Sequence, residues 1–270
     1  MFRGFSHRAK GASHKEKNLP CQDCAGYYCD DNAGIAAVSD GHGSRPHFRS
    51  GKGSRIAVEA AIKAIKEFIR GEDKYIGALF ADPDKILKQI ESNIIYRWNE
   101  RVNKHWDENP ITEKERELYG DEVTEKISRI YGATLITAVI TRKYWFALQI
   151  GDGACVTVTG ENNAEIFVPE DEKCAFGFTT SLCDSNAIEN FRHYFCEINQ
   201  ENPQPLGVIV STDGVADAYD EKTFLNFNCK TINLFKSQEN ALDEIKKLLP
   251  ILSEKGTRDD VSISGVYFCG

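Results

Sequence analysis

Two runs of β-branched and aromatic residues, Ala133-Thr-Leu-Ile-Thr-Ala-Val-Ile-Thr141 and Tyr144-Trp-Phe-Ala-Leu-Gln-Ile150, are separated by Arg142-Lys143 alone. A two-residue link between such runs predicts a hairpin, and so an antiparallel sheet. Three more runs read as strands: Gly34-Ile-Ala-Ala-Val-Ser39, Gly207-Val-Ile-Val-Ser-Thr212 and Val261-Ser-Ile-Ser264. Helical spacing of apolar residues occurs in Val58, Ile62, Ile65 and Ile69, in Leu87, Ile90, Ile94 and Trp98, and in Ala241, Ile245, Leu248 and Leu252. Each stripe is read as a core-facing helix face. Helices therefore arrive in blocks and not after each strand, which argues against a parallel doubly wound sheet. Sheet packed on sheet with helices outside, an α+β arrangement, is the expectation. No internal repeat, low-complexity stretch or Pro/Gly linker divides the chain, so residues 1–270 read as a single domain.

Charge narrows the function classes. Lys and Arg number 33 against 41 Asp and Glu, a net charge of −8. That balance argues against a general nucleic-acid binder, which needs a basic face. No apolar run reaches the ~20 residues of a membrane helix. The charged start Met1-Phe-Arg-Gly-Phe-Ser-His-Arg8 is followed by no apolar secretory core. Nine cysteines are an odd number without a framework, which fits free thiols in a reducing compartment and a cytoplasmic protein. Cys21-Gln-Asp-Cys24 lacks the second pair or redox context that a zinc or thioredoxin-like role would need. The acids of residues 107–125 read as a solvated surface.

The chemistry is carried by aspartates at the ends of strands. Val38-Ser-Asp40-Gly-His-Gly43, Ile150-Gly-Asp152-Gly153, Val210-Ser-Thr-Asp213-Gly-Val-Ala-Asp217 and Thr257-Arg-Asp259-Asp260 each join such an acid to an apolar run. One Asp-Gly pair is only a turn signal. Four such sites in one chain, without a matching cluster of His or Cys, suit a hard divalent cation, which takes oxygen ligands and keeps bound waters. An acidic, multi-metal site is the reading of the residues.

In these residues the chain resembles the protein phosphatase 2C family, the metal-dependent serine/threonine phosphatases, in its compact bacterial form. The matching motifs run in the family's order: Gly11-Ala-Ser-His-Lys-Glu-Lys-Asn-Leu-Pro-Cys-Gln-Asp23, Ala37-Val-Ser-Asp40-Gly-His-Gly43, Tyr131-Gly-Ala-Thr134, Gly151-Asp152, Ser211-Thr-Asp213-Gly-Val-Ala-Asp217 and Arg258-Asp259-Asp260-Val-Ser262. The resemblance implies a four-layer α-β-β-α sandwich of two antiparallel sheets, with two Mn²⁺ or Mg²⁺ ions, and a third, at one end. It assigns Asp40 as the bridge between two ions and the Gly41 carbonyl as a ligand. Asp213 and Asp259 complete the deeper ion, Asp23 acts through water, and Asp152 with Asp213 holds the third. His42 is similar to the histidine that protonates the leaving alcohol.

Two such ions, ~4 Å apart, would generate a bridging hydroxide that attacks a phosphoserine or phosphothreonine. A poor alkoxide leaving group gives a general acid something to do. The implied substrates are phosphorylated proteins, and the implied enzyme is a monomer that binds neither nucleic acid nor membrane and serves signalling. Two departures matter. Gln22 stands where many members have a glutamate on the second metal, and an amide oxygen brings only a partial charge. Asn18 stands where many have a phosphate-holding arginine, so that His14, Lys15 and Lys17 become the candidates for this role. These departures keep open a catalytically weak, phosphatase-like binding or regulatory domain; a small-molecule phosphoesterase is the other alternative, which nothing but the family resemblance rejects.

Overall fold

In a computed structural model, which describes residues 1–120, 126–174 and 178–269, two five-stranded antiparallel sheets are sandwiched between helices. The chain opens with β1 (Phe2–Ala9), the short α1 (Ala12–Glu16), β2 (Cys24–Cys29) and β3 (Ala33–Ser39). A helical block follows: α2 (Ser50–Arg70), α3 (Ile76–Ala81), α4 (Pro83–Glu108), α5 (Glu113–Tyr119) and α6 (Ile127–Ile130). Then come β4 (Leu135–Thr141), β5 (Tyr144–Ile150), β6 (Ala154–Gly160), β7 (Asn163–Ile166), α7 (Ala187–Asn190), β8 (Arg192–Glu197) and β9 (Gly207–Ser211). The chain closes with α8 (Asp213–Ala216), α9 (Glu221–Ser237), α10 (Ala241–Lys255) and β10 (Val261–Phe268).

One sheet has the order β1-β10-β9-β6-β7, the other β2-β3-β4-β5-β8. The hairpin expected at Arg142-Lys143 is present, with Ile140 opposite Trp145 and Leu135 opposite Ile150. Its turn is tightened by the Thr141 hydroxyl oxygen, which accepts from Lys143 N and Tyr144 N. Alternation along β4 explains the apolar runs. Ile136, Ala138 and Ile140 enter the core between the sheets with Val208, Val210 and Val266 of the other sheet. Leu135 and Val139 face outward into a second core with Ile65, Leu87, Ile94 and Trp98 of the helices. A third core joins β9 and β10 to Phe224 and Ile232 of α9 and to Ile245 and Leu249 of α10. A strand covered on both faces has no solvent side to mark with polar residues, so it reads as continuous apolar sequence.

The helices begin where side chains can satisfy their open N–H groups. Asp82 accepts from Lys85 N ahead of α4, with Pro83 at the first turn, and Asp220 accepts from Thr223 N ahead of α9. The charged start is a strand, with Phe2 and Phe5 buried and all eight residues paired to β10. Two expectations need correction. The buried stripe of α10 runs Ala241, Ile245, Leu249, placing Leu249 inside where Leu248 was expected. Finally, Glu115 in the acidic run is not merely solvated. It caps α5 with Thr112 and pairs with Arg49 at 2.9 Å, which holds its carboxyl down to about 2. Together with the Phe48–Tyr119 stack at 4.3 Å, this pins α5 to the start of α2. Asp121, Glu122 and Glu125 of that run lie outside the described residues.

Candidate active site

Antiparallel register brings the aspartates to one end of the sandwich. Cys24 lies opposite Ser39, so Asp23 and Asp40 leave their strands side by side. Val38 lies opposite Ile136 and Leu135 opposite Ile150, which carries Asp152 to the same end. In the other sheet Ser211 lies opposite both Ala154 and Ile263; Asp213 follows β9 and Asp259 precedes β10, so both reach this end. Asp40 is fixed from both sides by Thr134, whose hydroxyl accepts from Asp40 N at 3.0 Å while its own N–H donates to Asp40 O at 2.8 Å. Thr212 donates to Asp23 Oδ2 at 2.9 Å, and Asp213 Oδ1 accepts from Gly214 N at 2.7 Å at the start of α8.

The carboxylates lean on one another. Burial, then the charges of Asp23 and Asp213, hold Asp40 well above the usual carboxylate range, and the Asp23 and Asp40 carboxyls share a hydrogen bond. Two carboxyls can share that bond only if one keeps a proton. Burial pushes Asp23 up to about 7. Asp213 is pushed up to about 8 by burial and by the charges of Asp152, Asp23 and Asp259. Asp152 and Asp217 are raised in the same way. A divalent cation would replace the shared protons, and the oxygen-only donor set fits one. Among the described residues, however, no three His, Cys, Asp or Glu side chains are already gathered closely enough to hold an ion.

Gln22 is buried, and its N–H donates to Asp260 Oδ2 at 2.6 Å. Its side-chain amide lies against Gly43, in the space that a Cβ there would take. Asn18 has φ +54°, in the left-handed region that ends α1, where Asn is among the tolerated residues. The position of the expected arginine is therefore a turn position in this chain. His14 sits one helical turn earlier with Nδ1 3.0 Å from Asp260 Oδ2, whereas Lys15 and Lys17 are exposed. Of the three candidates for phosphate binding, only His14 is tied to the loop that carries Asp259. Burial pushes the thiols of Cys21 and Cys24 up, against a thiolate role.

His42 is pushed down to about 4, first by burial and then by His47 beside it. Sequence reasoning gave no role to three residues that the fold places at this end. Asp260 was quoted within a motif, and it accepts from Gly11 N and Gln22 N at 2.6 Å each, so it latches the first motif to the last. Arg192 donates to the carbonyls of Gly151 and Pro169, and its charge favours ionised Asp152. It lines a cavity of about 890 Å³ with Asp152, Asp213 and Asp217. His47 packs against His42. The doubled aspartate was a legible signal for Asp260; nothing local marked Arg192 or His47.

A bacterial serine phosphatase is 12% identical to this chain, with a TM-score of 0.60 over 99% of this chain and 98% of that one. The serine/threonine phosphatase Stp1 of Staphylococcus aureus is 13% identical, with a TM-score of 0.58 over 100% and 96%. The catalytic domain of the serine threonine protein phosphatase PstP, solved in complex with two manganese ions, is 14% identical, with a TM-score of 0.56 over 98% and 97%. At such identities the likeness is one of fold. No curated protein sequence matches the chain. Among the described residues no helix is long and apolar enough to cross a membrane. The profile of one family matches residues 10–250, most of the chain and every motif up to Asp217, and with it the chain belongs to the protein phosphatase 2C family.

Proposed function

We propose that the chain is a cation-dependent protein phosphatase, acting on phosphoserine and phosphothreonine, with residues 1–270 as one catalytic domain. The observation that carries this reading is the antiparallel register that brings Asp23, Asp40 and Asp213 to one end of the sandwich, where burial and the charges of neighbouring carboxylates push all three carboxyls up. Asp40, the Gly41 carbonyl, Asp213, Asp259, Asp23 and Asp152 would hold two Mn²⁺ or Mg²⁺ ions and a third, with Gln22 as the second ion's neutral neighbour. When bound, the ions would supply an activated water and shield the phosphoryl oxygens.

The remaining work falls to the protein. Thr134 and Thr212 keep Asp40 and Asp23 aimed into the cluster. His42, two residues beyond Asp40, would donate a proton to the departing serine or threonine oxygen, and the substrate phosphate beside it would supply the counter-charge that favours its protonated form. His14, with Lys15 and Lys17 on the same short helix, would hold the phosphate. The substrates are then phosphorylated proteins, met by a cytoplasmic monomer with a signalling role.

The test is hydrolysis of a phosphothreonine peptide and of p-nitrophenyl phosphate with EDTA, Mg²⁺ or Mn²⁺. Turnover of both that needs a cation supports the reading. Absence of turnover under every condition favours a binding domain, and turnover of p-nitrophenyl phosphate alone favours small-molecule substrates.

A further inference from the structure

We propose that His47 is a positioning residue for His42, holding the His42 ring edge-on so that it meets the leaving oxygen of the substrate. The proposal rests on the phosphatase reading above. His42 lies between Gly41 and Gly43, so its neighbours in sequence offer no side chain to restrain it. Among the described residues, its ring makes no hydrogen bond, and the only aromatic ring packed against it is that of His47. The centroids are 4.9 Å apart and the planes meet at 69°, an edge-to-face contact.

His47 is itself held. Residues 41–49 run along residues 129–133: Gly41 bridges Ala133, His42 N donates to Gly132 O at 3.3 Å, and Arg49 N donates to Ile130 O at 3.0 Å. Within this lacing His47 Nδ1 meets the Arg129 carbonyl. A carbonyl only accepts, so Nδ1 carries the proton and the ring's orientation is set. Both rings occupy space that a side chain at residue 132 would take. A Cβ on Gly132 would stand 2.5 Å from His47 Nδ1 and 2.8 Å from His42 Cδ2. The glycine of Tyr131-Gly132-Ala133 thus opens the slot in which one histidine steadies the other. A proton donor that swings freely spends little time aligned with its acceptor, so this restraint serves the proton transfer and not phosphate binding.

The experiment compares wild type, His47→Ala, His42→Ala and the double variant, with a phosphothreonine peptide and with p-nitrophenyl phosphate, in the cation that best supports activity. In His47→Ala the kcat for the peptide should fall about tenfold and that for p-nitrophenyl phosphate less than about threefold, because the second leaving group needs little protonation. KM should move little for either. In the His42→Ala background, His47→Ala should add no further loss. Equal losses on both substrates, no loss, or additive losses in the double variant would overturn the proposal. NMR of the His42 ring protons, assigned from His42→Ala, keeps the test independent of turnover. These resonances should shift in His47→Ala, and unchanged positions would refute the contact. A wild type that hydrolyses nothing while those resonances shift would sink the phosphatase reading and with it the role in proton transfer, and would leave only the contact between the rings.

Discussion

In protein stripped of divalent cations, Asp213→Asn is expected to raise the melting temperature at pH 7.5, although it removes a residue assigned to cation binding. The folded protein pushes Asp213 from its ordinary value of 3.8 up to about 8, through burial and the neighbouring Asp152, Asp23 and Asp259. The sign follows from proton counting. Between those two values the folded state binds more protons than the unfolded state, so stability falls as pH rises through this window. At 1.36 kcal/mol per pH unit, the penalty at pH 7.5 is on the order of a few kcal/mol. Asparagine keeps an oxygen for Gly214 N and carries no charge, and it also relieves Asp23 and Asp40. A net gain of about half the penalty is expected, which for a chain of this size is roughly 5–10 °C. Thermal melts from pH 5 to 8.5 in EDTA should show the gap between variant and wild type widening with pH. In millimolar Mn²⁺ the wild type should gain stability, by ~2.7 kcal/mol at a hundred times the dissociation constant, and the variant should gain less. A variant that melts below wild type in EDTA at pH 7.5 would show that the carboxylates do not repel one another in the fold.

Asp40→Asn should cut turnover more than tenfold at saturating Mn²⁺ while circular dichroism stays native; retained activity would remove Asp40 from the centre of the site. Gln22→Glu should lower the Mn²⁺ concentration for half-maximal activity by about tenfold, roughly 1.4 kcal/mol; superimposed titrations would show that residue 22 does not sense the ions. Far from the site, His193 Nδ1 lies 2.7 Å from the buried Glu91, which raises the histidine above its ordinary 6.5. That contribution is complete below pH 6.5 and is lost as pH rises through the folded value, so the stability gap between wild type and His193→Gln should narrow from pH 6 to pH 8.5 in urea titrations; a constant gap would count against the pair.

Most of the frame was legible because burial on two faces leaves a strong mark. β3, β4, β5 and β9 are buried on both faces and mostly apolar, and the hairpin link is too short to permit anything but antiparallel pairing. The elements that escaped notice carry mixed signals. In β1, Arg3, His7 and Arg8 share an edge strand with Phe2 and Phe5, and the charges mask the apolar alternation. In α9, Phe224, Asn228, Thr231 and Ile232 form a buried face that includes polar side chains, whose spare groups bond the preceding turn at Phe224 O and Phe227 O. A scan for apolar stripes passes over such a helix.

The candidate site was legible for a different reason: acids at strand ends are conspicuous when antiparallel register must bring those ends together. Sequence spacing could not show which groups near the acids are themselves restrained. An arginine at position 18 would have to adopt φ near +54°, which asparagine tolerates better than a long side chain does. Arg258 holds φ +66° in the same fold, so the turn disfavours the family's usual cation at that place without excluding it. The nearest alternative on α1, His14, faces Asp260, which also gathers the N–H groups of Gly11 and Gln22. His14 and Gln22 therefore meet in one buried carboxylate. Changing Gln22 alone should alter the charge presented to a cation without recreating an arginine's grip on phosphate, so a tighter cation response in Gln22→Glu is expected to leave the KM for a phosphopeptide largely where it was.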